Sequence, residues 1–354
     1  MNKRRKVALL FGGRSGEHEV SLRSAVSVAE GLAERHEVLP VLVCKAGGWL
    51  LQEGPPRPAG GIPVFLAPSP EDAGRLRRLA DASELARPDV YFPVLHGTYG
   101  EDGTVQGLFE LAGVPYVGAG VAASAAAMDK AIMKSLFAQA SLPQVEHRVL
   151  TGRDAAAEAR LVDELGLPLF VKPANLGSSV AVSKVKTREA LAPALALAFS
   201  YDRKVVAERG HDVREIEVGV LGNDDPRASL PGEIVPDREF YDYASKYAAD
   251  SRTELVIPAR IDATLTAAVQ DLGKAAFHAV DAAGYARVDC FLERASGRLL
   301  LNEINTIPGF TSISMFPKLW EASGVSYPDL LARLVTLGIE RHQARARLST
   351  RYGG

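Results

Sequence analysis

Two cysteines among 354 residues are too few for a disulfide framework, and both Cys44 and Cys290 sit inside apolar runs. They read as buried free thiols in a reducing compartment. Charge of one sign is also scarce. A formal net charge of −2 gives no basic surface for nucleic acid or for an anionic membrane. No stretch has the length of a transmembrane helix. Lys3-Arg4-Arg5-Lys6 ahead of residues 7–11 imitates the start of a signal peptide, but the apolar run stops at Gly12-Gly13 and is too short. A cytoplasmic protein is therefore expected. Internal repeats and low-complexity tracts are lacking. So are G-x-G-x-x-G and the Walker A pattern, which removes the two commonest phosphate-loop signatures.

What is present is ordinary globular material, 47% apolar and 24% charged, with length for two or three domains. The first third alternates strands and helices, which predicts a parallel sheet. Strands are expected at 7–11, 38–43 and 90–95. Leu22, Ala25, Val26, Ala29 and Leu32 mark one helix, and residues 104–111 another. Residues 52–74, rich in Pro and Gly, read as loop or insert. A second unit begins near Gly118-Ala119-Gly120. It has a helix over 124–140, a strand over 169–173, a Gly/Ser loop at 175–179, a returning strand over 180–185 and an edge strand at 205–208. The third opens on the cleanly alternating residues 215–221. A polar, aromatic loop at 237–252, a strand at 255–257, a helix over about 263–282, a hairpin and a mostly helical tail from 312 follow. The expected boundaries are 1–120, 121–210 and 211–354.

The hairpin carries the most chemistry. Arg287-Val288-Asp289 ends one apolar run and Asn302-Glu303-Ile304-Asn305 closes the next. Paired as antiparallel strands, Asp289 stands opposite Glu303 and Arg287 opposite Asn305, and all four share a face. Two carboxylates and a carboxamide suit Mg²⁺ with positions open to phosphate oxygens. The pairing requires an odd number of loop residues, for example three with Gly297 left-handed; a two-residue loop would turn Glu303 away.

Other motifs carry less alone. Lys172-Pro173 before Asn175-Leu176-Gly177-Ser178-Ser179 suits a nucleotide phosphate, and the metal cluster puts this reading ahead of a plain hairpin turn. Gly12-Gly13-Arg14-Ser15-Gly16 joins a strand to a helix; an anion site and a tight turn without ligand read equally well. Glu17 and Glu19 beside it suit an ammonium group. His96, followed by Gly97 at the carboxyl end of a parallel strand, is a candidate site residue. Tyr241 to Tyr247 reads as a lid or as a packed surface loop.

Taken together, residues 6–340 resemble a D-alanine–D-alanine ligase of the ATP-grasp superfamily. The resemblance is carried by residues 12–21, 96–107, Met128-Asp129-Lys130, 171–180, 240–247, Arg287-Val288-Asp289 and 302–314. Residues 44–85 carry no recognised pattern. The resemblance implies a three-domain α/β ATP-grasp fold with an N-terminal parallel, Rossmann-like domain, and a homodimer through that domain. ATP would lie between the second and third domains. Lys130 and Lys172 would contact phosphates. Glu208 and the backbone after it would read adenine, with Phe291 against the ring and Glu215 on the ribose. Asp289, Glu303 and Asn305 would hold two Mg²⁺ (or Mn²⁺). Glu17, with His96 nearby, would receive the first D-alanine's ammonium, and Glu17, Ser178 and Tyr247 would close the lid. Lys246 would offset charge on the transferring group. Arg287 and the Gly309 N–H would stabilise an oxyanion, while Ser314 and the Met315 N–H would take the second D-alanine's carboxylate. The Lys246-Tyr247 pair implies a dipeptide product rather than D-alanyl-D-lactate.

Overall fold

The structure, a computed structural model, describes residues 4–177, 180–236, 253–311 and 313–349. Among them the strands form three sheets. In the first, β1 (Lys6–Gly12) pairs in parallel with β2 (Glu37–Val43) and β7 (Val90–Val94). Their continuous apolar runs are covered on both faces, as parallel strands require. Helix α1 (His18–Ala33) packs on one face, and α2 (Thr104–Ala112) on the other.

Residues 49–86, which include the stretch expected as loop or insert over 52–74, carry short strands. They form β3 (Trp49–Leu51), β4 (Ile62–Leu66), β5 (Leu76–Arg78) and β6 (Glu84–Ala86), an antiparallel extension that makes the sheet seven-stranded. Strands this short hold too few alternations to show a period, although Val64, Leu66 and Leu76 are buried.

The second sheet runs β10-β9-β11-β8. Its strands are β8 (His147–Leu150), β9 (Leu169–Pro173), β10 (Ser183–Val185) and β11 (Val205–Arg209), all antiparallel. The segment expected at an edge, 205–208, is interior and fully buried, because the polar strand at 147–150 pairs outside it. The single helix expected over 124–140 is two, α3 (Val121–Met128) and α4 (Lys130–Gln139). Asp129 breaks it. Its backbone is extended, and its carboxylate caps α4 by accepting the N–H of Ala131 and of Ile132. Helices α5 (Ala155–Leu165) and α6 (Leu191–Tyr201) cover the opposite face from α4.

The third sheet has β12 (Val213–Gly222) at its centre, beside β14 (Gly232–Val235), which β15 (Glu254–Val256) flanks, and β16 (Gly284–Glu293), which pairs with β17 (Leu299–Asn305). The short β13 (Arg227–Ala228) pairs with β12. Ile216, Val218 and Val220 of β12, with Ala286, Val288, Cys290 and Leu292 of β16, pack on helix α7 (Ala263–Ala279). Alternation then sends Glu215, Glu217, Arg287, Asp289 and Phe291 to the other face. Helices α8 (Met315–Ala322) and α9 (Tyr327–Ala346) return the chain to the first sheet, where Leu330, Leu331 and Leu334 join the core beneath α1. No helix among the described residues is long and apolar enough to cross a membrane.

Candidate active site

The hairpin places Asp289 opposite Glu303 and Arg287 opposite Asn305, as expected. The device differs. Gly297 is left-handed, at φ 70°, but Glu293 N–H donates to Arg298 O, so residues 294–297 form a loop of even length. The parity is restored farther along, where the register shifts between Asp289 and Cys290. Asn302 is the extra residue of a β-bulge. Leu301 and Ile304 both stay in the apolar core, and Asn302 and Glu303 are both half-buried and line the cleft.

That cleft, about 760 Å³, lies between the second and third sheets. On the second sheet's side stand Lys172 from β9 and Glu208 from β11, and Lys130 from the first turn of α4. The cap at Asp129 fixes where Lys130 emerges. Its Nζ donates to Leu176 O at 2.8 Å and lies 3.5 Å from Glu303 Oε2, so it reaches both sides. Glu208 is buried between two ammonium groups, 2.8 Å from Lys172 Nζ and 2.8 Å from Lys134 Nζ. Burial alone would raise its pKa; Lys134 and Lys172 outweigh that and hold the carboxyl well below the usual range.

On the third sheet's side, Arg287 donates from Nε and Nη2 to the two oxygens of Asp289, at 2.7 and 2.8 Å, and its Nε is 2.9 Å from Glu217 Oε2. Asn305 Nδ2 donates to Asp289 Oδ2 at 3.0 Å. Burial opposes the Arg287 charge, but Asp289 and Glu217 more than offset it and raise its pKa further. Glu215 and Phe291, cross-strand partners, line the cleft. Asp289, Glu303 and Asn305 carry hard oxygens of the kind Mg²⁺ or Mn²⁺ takes, with both Asp289 oxygens held here by Arg287.

Beyond this end lies a second group of residues. The first two N–H groups of the Gly12–Gly16 turn are used internally, Gly12 on Ser21 Oγ and Gly13 on Val43 O. It is a tight turn that positions Glu17, whose own N–H goes to Ser15 Oγ. A Cβ added to Gly97 would lie 2.7 Å from Glu17 Oε2, and one on Gly177 3.1 Å, so the carboxylate is wedged between the segments that hold these two glycines. His96 is 5% exposed; Nε2 is 3.2 Å from Ser24 Oγ and Nδ1 3.0 Å from Ile307 O. Burial alone would lower its pKa, but the nearby Glu101 carboxylate raises it overall. Through these bonds His96 ties the segment holding Gly309 to α1. Ser314 is the N-cap of α8 without a side-chain cap bond, and its Oγ instead accepts Thr311 N–H at 3.0 Å. A Cβ on Gly309 would sit 2.8 Å from that Oγ, so glycine permits the close approach. Met315 is the first residue of α8, where backbone N–H groups point out of the helix.

Residues 6–119 match the family described as D-ala D-ala ligase N-terminus, and residues 136–336 the one described as D-ala D-ala ligase C-terminus. A D-alanine--D-alanine ligase of Heliobacterium modesticaldum is 51% identical, over 97% of each chain. One of Bacillus velezensis is 47% identical, over 94% of this chain and 97% of that one. The solved D-alanine-D-alanine ligase from Coxiella burnetii superposes with a TM-score of 0.86 at 36% identity, covering 98% of this chain and 97% of that one. The chain belongs to the D-alanine–D-alanine ligase family. The family's range is also visible: the VanG D-Ala:D-Ser ligase from Enterococcus faecalis has a TM-score of 0.85 at 33% identity, over 95% of this chain and all of that one.

For a ligase of this family, the structure brings Lys130, Lys172, Glu208, Glu215, Phe291, Asp289, Glu303 and Asn305 to one cleft. Glu17, Arg287, Gly309, Ser314 and Met315 lie outside its lining, and so does His96; Arg287 reaches the cleft only through its bonds to Asp289 and its ion pair with Glu217, both of which line it. Ser178, Lys246, Tyr247 and the expected lid at 237–252 lie outside the described residues. Two charged residues escaped the sequence reading. Glu217 had a signal, since it alternates with Glu215 on a strand whose other face is apolar. Lys134 had one too, one helical turn after Lys130 and next to the buried Met133.

Proposed function

We propose that the protein condenses two D-alanine molecules to D-alanyl-D-alanine for peptidoglycan precursors, converting ATP to ADP and phosphate. The observation that supports this best is one cleft with lysines on one side and in-register carboxylates on the other. A carboxylate is a poor electrophile, so it must be activated. The first D-alanine's carboxylate oxygen attacks the γ-phosphorus, ADP leaves, and an acyl phosphate forms. The second D-alanine's amine attacks the acyl carbon, and phosphate departs with the original carboxylate oxygen.

Each residue's part is positional or electrostatic. Lys130 and Lys172 receive the phosphates. Phe291 packs on the adenine, Glu215 holds the ribose, and Glu208 with the following backbone reads the base edge. Asp289, Glu303 and Asn305 would hold two Mg²⁺ or Mn²⁺ ions, which neutralise phosphate charge when bound. Glu17 takes the first ammonium, and His96 acts through the segment it ties down. Arg287 and Gly309 N–H face the oxyanion. Ser314 and Met315 N–H take the second carboxylate at the N-terminus of α8, whose dipole favours an anion. Ser178, Lys246 and Tyr247, with the 237–252 lid, exclude water from the acyl phosphate. The domains divide at 120 and 210; the protein is a cytoplasmic homodimer joined through the first.

Incubation with ATP, Mg²⁺ and D-alanine tests this by product mass. D-Alanyl-D-alanine with one ADP per dipeptide is expected, in preference to products of D-serine or D-lactate at neutral pH. Phosphate release that ignores D-alanine overturns the reading.

A further inference from the structure

Lys134 lies behind the cleft and does not line it. It is fully buried on α4, with 0% exposure, in a stretch that also buries Ala131, Met133 and Phe137. An ammonium in such a place needs a reason, because an apolar side chain would hold the helix to the sheet at no desolvation cost. Its close carboxylate is Glu208, 2.8 Å from Nζ, and the other oxygen of Glu208 holds Lys172 at 2.8 Å. The three groups stand in series: Lys134 at the back, Glu208 in the wall, Lys172 at the cleft. Ala131, Ala174 and Val206 form the small apolar patch that seats α4 on this face of the sheet.

The ratio of two cations to one carboxylate matters once a nucleotide arrives. Lys172 must turn its ammonium toward phosphate. If it were the sole partner of Glu208, that turn would strand a buried carboxylate, which would hold the lysine back. We infer that Lys134 is a positioning residue for nucleotide binding, holding Glu208 from behind so that Lys172 is released to the phosphates. This rests on the reading of the cleft as an ATP site. Burial acts to neutralise Lys134, lowering its pKa, and Glu208 opposes that.

The test is steady-state kinetics on the whole enzyme. Lys134→Met should raise the KM for ATP by about tenfold or more and leave the KM for D-alanine within about twofold. Adding Glu208→Gln keeps an amide that can still hydrogen-bond the base edge and removes the charge that then captures Lys172, so the double variant should have a lower KM for ATP than Lys134→Met alone. A brace for α4 alone predicts the opposite, a further loss or none. An unchanged KM for ATP, equal shifts for both substrates, or a double variant no better than the single overturns the inference. If Lys134→Met does not fold, Lys134→Gln takes its place under the same criteria; failure of both to fold makes Lys134 a folding residue and also overturns it. Wild-type protein that does not turn over ATP with D-alanine counts against the proposed function instead.

Discussion

Two knots of charge, one buried and one half-buried, face each other across the cleft, built to opposite ratios. In the second sheet one carboxylate, Glu208, is shared by Lys134 and Lys172. In the third, one guanidinium, Arg287, serves Asp289 and Glu217, with Glu303 across the hairpin. The first knot carries an excess of cation, the second an excess of carboxylate. A nucleotide triphosphate with divalent cations presents the complementary order, and Lys130 reaches both sides at one end.

Breaking the carboxylate side should have the largest effect. Glu303→Gln keeps the shape and removes the charge, and D-alanine-dependent phosphate release should fall by about three orders of magnitude, since a metal clamp is worth several kcal/mol. Near-normal turnover would remove the metal assignment. Arg287→Met tests the cation within that knot. Loss of one oxyanion donor typically costs roughly 100- to 1000-fold in kcat, and the drop should appear in kcat more than in either KM. Ser314→Ala lies away from both knots. It should raise the KM for the acceptor D-alanine about tenfold, the worth of one hydrogen bond to a charged group, and leave the KM for ATP unchanged.

The smallest effect is on stability. The Glu208 pKa is depressed below its usual 4.5, so its ionised form favours the folded state. That contribution is full above about pH 4.5 and is lost as pH falls through the depressed value. Thermal midpoints measured from pH 6 down to pH 3 should fall less steeply for Glu208→Gln than for wild type. Parallel curves would show that the two lysines do not hold this carboxyl.

The same contrast explains what could be read from sequence. The hairpin part of the carboxylate knot was legible because Arg287, Asp289 and Glu303 lie on two strands joined by one turn, so a period of two and a pairing rule suffice; Glu217, on the neighbouring β12, was missed. Even there the mechanism was misread. A loop of even length with the bulge at Asn302 does what an odd loop was expected to do, because bulges leave no local composition mark. The cation knot joins a helix to two strands far apart in sequence, so Lys134 read as one more lysine on a helix. Residues 49–86 failed for another reason, since their strands are too short to alternate visibly. The break at Asp129 was readable in principle, as a capping residue just before Lys130.

The central claim is that a carboxylate, not water, accepts the γ-phosphoryl group. D-Alanine labelled with ¹⁸O in both carboxylate oxygens, turned over with unlabelled ATP, tests it directly. The phosphate released should carry one ¹⁸O per molecule, transferred from the carboxylate through the acyl phosphate. Unlabelled phosphate formed alongside D-alanyl-D-alanine would contradict the account.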